Sequence, residues 1–224
     1  MATDTPQSAS DVSPVQVMGA VLGFFAGAVA LALLLIAHAV GPDLNPVSHA
    51  LSEYALGQFG WVQTFWFAAL AVGCIGAILL VWRENAGVLG WGGITGLAAA
   101  ATGLAMAACF PMDTLGTSPE HASLSNQLHG IAAMIGIPGF LMGSLLTTLA
   151  VGNLPLWVES KRPLMAAAHL FWVSFALTTV AVVSAIWQAP EANWIGVPNR
   201  LLGIAYSLWL MALSWPALRT AAIK

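Results

Sequence analysis

Six apolar stretches, separated by short polar links, set the pattern of this chain. They fall near residues 17–40, 61–82, 87–110, 128–151, 164–187 and 199–218. About 20 predominantly apolar residues are needed for a helix to cross the hydrocarbon core of a bilayer, so each stretch predicts a membrane-spanning helix. The first, VMGAVLGFFAGAVALALLLIAHAV, contains a single ionisable side chain, His38, close to its end. Apart from these spans there are only links and a polar head of residues 1–16, too little for a separate soluble domain. The expectation is an all-α polytopic transmembrane bundle of six helices occupying residues 17–224.

The links carry their own signals. In NPVSHALSEYALGQFGW, residues 45–61, Asn45 is a good N-cap, Pro46 fits a first helical position and Gly57 can close a C-terminus. This predicts a short interfacial helix in the first link, with Val47, Ala50, Leu51 and Tyr54 on its apolar face. His49 and Glu53, four apart, should project together from the more polar side. In the second link Pro111 stops the third span, Asp113 lies in a turn, and a helix restarting near Ser123 carries His129 into the top of span four. The third link ends at Pro198, which should start span six and place Arg200 in its first turn at membrane level. A charge there is expensive and calls for a partner, with Asp113, Glu53 and Glu191 as candidates. Within the spans, Gly19, Gly23 and Gly27, and likewise Gly139 and Gly143, recur at the spacing that lets helices approach closely. Pro138 predicts a kink in span four.

Composition agrees with lipid as the solvent: 59% of residues are hydrophobic and 7% charged, against roughly 25% charged in ordinary soluble domains. The six Lys and Arg form no basic stripe, which excludes nucleic acid as a partner; membrane lipids are the expected partners, and no protein partner is indicated. The head lacks Lys and Arg, so a cleavable signal peptide is not expected and span one should remain as an anchor. Arg83, Lys161, Arg162, Arg219 and Lys224 fall on one side of the six-span map and Arg200 alone on the other. By the positive-inside rule, both termini should be cytoplasmic in a cell (inner) membrane and links 41–60, 111–127 and 188–198 should face outward. Trp61, Trp82, Trp157, Trp187 and Trp194 lie near predicted span ends, as in an interfacial aromatic belt. Cys74 and Cys109 should sit at different depths and remain unbridged.

On this map the polar inventory is lopsided. Asp43, Glu53, Asp113, Glu120, Glu191, His38, His49, His121, His129 and Arg200 all collect at the outer end. One reading is a pocket for a small molecule or lipid headgroup, or a support for a partner, with Glu53, Asp113 and His129 as walls and Arg200 as the anion contact. A second is a metal site of His49, Glu53, Asp113 and His129 in a metal-dependent lipid hydrolase, zinc being the metal such donors suit, although no HExxH or HxxxH spacing is present. The bland alternative is a buried polar network that pins the hairpins together. Haem held by His38 and His129 is disfavoured because no CxxCH motif is present. A small transporter is the third class, but the middles of the spans offer only weak polar groups such as Thr95, Thr102, Ser174 and Thr178. Whether the chain catalyses anything is open.

HALSEYALGQFGW before span two, FPMD after span three, LHG opening span four and NRLLG opening span six occur in an order that resembles the family catalogued as domain of unknown function 998. Members are small, mainly prokaryotic, six-span membrane proteins, and the resemblance covers the chain after its head. It implies that Glu53, Asp113, His129 and Arg200 occupy the family's recurrent polar positions. It carries no activity with it. The reading favoured here is the non-catalytic one, a membrane bundle with an outward-facing polar pocket.

Overall fold

In a computed structural model, residues 12–41, 43–84, 87–114, 117–187 and 194–223 are described. They form six long helices: α1 (Pro14–Val40), α2 (Gly60–Val81), α3 (Gly87–Cys109), α4 (Leu124–Val151), α5 (Lys161–Trp187) and α6 (Gly196–Ala222). All six regions are long and apolar enough to cross a membrane, and no strand occurs among the described residues.

Helix starts follow local capping more closely than the edges of the apolar runs. Before α1, Ser13 Oγ accepts the Gln16 N–H and the Gln16 side chain accepts the Ser13 N–H, with Pro14 at the first helical position. This reciprocal cap carries the helix three residues ahead of its apolar run. Ser123 caps α4: its Oγ accepts the Asn126 N–H at 3.1 Å, and the helix begins at Leu124, where the sequence predicts a restart, ahead of the apolar span near 128. In α6, Pro198 falls in the first turn, where a missing N–H leaves no helical bond unmade. Pro138 sits inside α4 without ending it.

The first link contains the expected short helix, but as a 3-10 helix that starts after a turn rather than an α-helix from Pro46. Asn45 Oδ1 accepts the Val47 N–H at 2.9 Å to make a turn, and a separate 3-10 helix follows at Leu51–Leu56. The reason lies in α6. The Val47 carbonyl accepts the Gly196 N–H at 2.8 Å and the His49 carbonyl accepts from Arg200 at 2.7 Å. The Leu51 N–H, which a continuous helix would direct to Val47, goes to Asn199 Oδ1 at 2.8 Å instead. Tertiary partners have taken the groups an α-helix needs. Leu51 and Tyr54 are buried as expected of the apolar face, whereas Val47 is exposed.

The helices pack in the spatial order α5, α6, α1, α2, α3, α4, and α4 meets α5 only sparsely. Small residues draw them together. A Cβ at Gly96 of α3 would lie 2.5 Å from the Gly143 nitrogen and 2.7 Å from the Gly139 carbonyl oxygen of α4. Gly19 of α1 approaches the Gly76 carbonyl of α2 as closely, at 2.6 Å from the same virtual atom. Such approach maximises dispersion contact where lipid supplies no hydrophobic drive. Apolar side chains such as Leu35, Phe25 and Met134 remain on the exterior, facing the expected lipid. Trp61 and Trp82 are half exposed near helix ends, but Trp157 is fully buried and donates to the Leu213 carbonyl at 2.9 Å. Trp157 is therefore a core residue, not part of an aromatic belt.

Candidate functional site at one end of the bundle

Arg200 stands where the C-terminus of α1, the first link and the N-terminus of α6 meet. Its Nε donates to His38 Nε2 at 2.6 Å, Nη1 donates to the carbonyls of His49 (2.7 Å) and Gly196 (2.9 Å), and Nη2 donates to Tyr54 Oη at 2.9 Å. The guanidinium carbon also lies 5.5 Å from the centre of the Tyr54 ring. His38 Nδ1 is 2.6 Å from the Leu34 carbonyl, a contact that needs Nδ1–H. Nε2 is then the lone-pair nitrogen that receives Arg200, so the imidazole in this arrangement is neutral. The expected carboxylate partner is replaced by neutral acceptors: Arg200 forms no ion pair among the described residues. Glu191, one of the three candidates, lies outside them.

Glu53 is buried at 4% exposure, not on the polar surface of its helix. Its Oε1 accepts the Ala50 N–H at 2.7 Å, and its Oε2 lies 3.8 Å from His49 Nε2. Burial pushes its pKa up, while the Ala50 N–H and the charges of His49 and Arg200 pull the other way. The four-residue spacing thus brings His49 and Glu53 together across a turn and a 3-10 helix.

Asp113 and His129 are engaged elsewhere. Asp113 accepts the Ser123 N–H and the Ser123 hydroxyl, each at 2.7 Å, and its own N–H donates to Asn126 Oδ1 at 3.1 Å. It ties the second link to the positive end of α4, and the Ser123 N–H, then the hydroxyl, hold its pKa below the ordinary value. His129 Nδ1 lies 2.8 Å from the Phe110 carbonyl, and its ring stands edge-on to Phe67. The structure does not gather His49, Glu53, Asp113 and His129 into one coordination shell: no group of three or more His, Cys, Asp or Glu able to hold a metal occurs among the described residues. His38 and His129, the haem alternative, are likewise held by separate partners.

Beside the Arg200 cluster, between α2, α3, α4, α5 and α6, lies a cavity of about 130 Å³. Leu51, Trp66, Leu104 and Phe171 contribute apolar wall, and Ser52, His129, Asn199 and Tyr206 are its polar members. None of its lining residues is Asp, Glu, Lys or Arg. Trp66 is 5% exposed and its indole Nε1–H has no hydrogen-bond partner. Tyr206 Oη pairs with Cys74 Sγ at 3.2 Å, so Cys74 is buried and unbridged.

Sequence reasoning singled out Arg200, Glu53 and His129 but missed His38 as the partner of Arg200, Tyr54 as its aromatic platform, and Asn199 and Trp66. Arg200 and His38 are 162 positions apart, and no local spacing signals such a contact. For Asn199 there was a weak hint, since an amide beside a membrane-level arginine needs a partner of its own.

Comparison with curated proteins gave no match, and comparison with solved structures gave none. The pattern of the family described as "Protein of unknown function (DUF998)" matches residues 24–216, which include His38, Glu53, Asp113, His129 and Arg200. On that match over most of its length, the chain belongs to the DUF998 family, as an all-α multi-pass membrane protein with six membrane-spanning helices.

Proposed function

We propose that this protein is a non-catalytic membrane binding protein, and that the cavity beside Arg200 takes a small molecule from the bilayer. The observation that carries this reading is the cavity itself: apolar walls, a few polar groups, and a buried Trp66 N–H left without a partner. Ligand sites are commonly concave and mostly apolar with a small number of orienting polar groups, and a buried donor without an acceptor is expensive unless something fills the role. Arg200 acts as the architect of the site rather than its anion contact, because its donors are directed to His38, Tyr54 and two carbonyls. A metal-dependent hydrolase would need further ligands beside His49 and Glu53, and no such grouping stands with them among the described residues.

For orientation, we place both termini on the cytoplasmic side of a cell membrane. Arg83 and Arg219 border one hollow, together with Glu84 and Glu159, at the end of the bundle opposite Arg200, and it is the gathering of Lys and Arg at that end, not its net charge, that supports this orientation.

The binding reading is tested by releasing small molecules from purified protein and counting them by mass spectrometry. A discrete species is expected with the native chain and should be lost from Ala133→Leu, whose added side chain fills the cavity while helicity is kept. An empty native protein, or equal occupancy in both, would overturn the proposal.

A further inference from the structure

The chemistry of the cavity wall narrows its occupant, and this inference rests on the binding reading above. No formal charge lines the space, so an ionised headgroup would be buried without a counter-ion, at a cost no wall residue offsets. A volume of about 130 Å³ admits a ring or a short alkyl end; an engineered cavity of about 150 Å³ holds benzene. α4 meets α5 only sparsely and both contribute wall, so the remainder of a longer molecule is assigned to that side of the cavity, toward lipid.

The polar groups offer both directions of hydrogen bonding. Trp66 supplies a buried N–H with no partner. His129, with Nδ1–H directed to the Phe110 carbonyl, keeps a lone pair on Nε2. Ser52 adds a hydroxyl, and Asn199, with its Oδ1 engaged by the Leu51 N–H, retains an amide N–H₂. One neutral functional group both accepts and donates at a single oxygen, the hydroxyl. We propose that the cavity binds a neutral lipophilic alcohol, with its hydroxyl accepting from Trp66 Nε1 and donating to His129 Nε2.

The test uses three photoreactive probes that share one diazirine-bearing alkyl chain: the primary alcohol, its methyl ether and the plain alkane. Each is added to the full chain in phosphatidylcholine nanodiscs, and crosslinked residues are located by mass spectrometry. The alcohol should label Leu104, Ala107 and Ala133 about five-fold more than the alkane, the scale of one net hydrogen bond. Labelling at Leu35, on the lipid-facing side of α1, should be equal for all three. In Trp66→Phe, and separately in His129→Phe, cavity labelling by the alcohol should fall to the alkane level with Leu35 labelling unchanged. Equal cavity labelling by all probes, above that at Leu35, would overturn the alcohol assignment and leave the binding reading intact. An ether as good as the alcohol would overturn the donated bond to His129 and with it the assignment. Cavity labelling no higher than at Leu35 for every probe would overturn both readings.

Discussion

Glu53 and Asp113 show how one residue type acquires opposite properties within one face of a bundle. Glu53 is desolvated, so its carboxyl holds a proton more tightly in the folded state than the ordinary value of 4.5. Its contribution to stability is therefore complete below that value and is lost as pH rises through the raised folded pKa. Glu53→Gln keeps an oxygen for the Ala50 N–H without the charge. Thermal unfolding across acid to neutral pH should decline in the native protein and stay flatter in the variant, and parallel curves would contradict the argument. Asp113 runs the other way. Its pKa lies below the ordinary 3.8, so its stabilising effect is present above that value and disappears as pH falls through the lower folded pKa. Asp113→Asn should melt earlier at neutral pH, with the gap closing in acid; a gap independent of pH would mean that the bonds to Ser123 matter through shape alone. The pairing of His49 with Glu53 was legible because it is local. The burial of Glu53 was not, since it depends on how the link packs against the end of α1 and the start of α2.

At the scale of elements, the first link and α6 form one unit. Gly196, Asn199 and Arg200 engage four successive groups of the link, from the Val47 carbonyl to the Tyr54 hydroxyl. Arg200→Ala would strand the acceptors at His38 and His49, which should cost about 2–3 kcal/mol. Arg219 pairs with Glu159 at 3.7 Å with both side chains largely exposed, so Arg219→Ala should cost less than about 1 kcal/mol. Comparing the two melting temperatures in detergent checks this, and equal shifts would show that the Arg200 contacts carry no stability. The helix start at Ser123 was readable from its capping residue, whereas the start at Ser13 was missed because hydropathy alone placed it three residues late. The restriction of the short helix to a 3-10 segment at Leu51–Leu56 was unreadable, because Asn45, Pro46 and Gly57 all favour an α-helix locally and α6 supplies the competing donors and acceptor.

Across the whole molecule, the seam between α3 and α4 is where backbone meets backbone. Gly96→Leu would drive a side chain into Gly143 and Gly139; it should lower the yield of folded protein sharply, whereas Gly57→Ala, with open space around its Cβ, should leave it unchanged. Both variants folding equally well would show that the seam is loosely packed. Sidedness is open to a direct check: a cysteine at Thr117 should react with an impermeant reagent in intact cells, and labelling only after permeabilisation would reverse the proposed orientation.

What the sequence determined by itself was the solvent, the number of helices and the family, because a bilayer imposes its thickness on every apolar run and that requirement is written along one dimension. Gly19, Gly96, Gly139 and Gly143 also belong to that account in part: their small size is visible in the sequence, while the seam each one enters is not. Only the tertiary structure decided that Arg200 bonds to His38 and Tyr54 rather than to Glu53 or Asp113, that Glu53 turns inward, that Asp113 ties a loop to α4, and that a cavity opens beside Trp66 and His129. Each of those outcomes depends on the rotation and depth of one helix against another. A fraction of a turn exchanges the groups that meet, while the hydropathy of the chain is left unaltered.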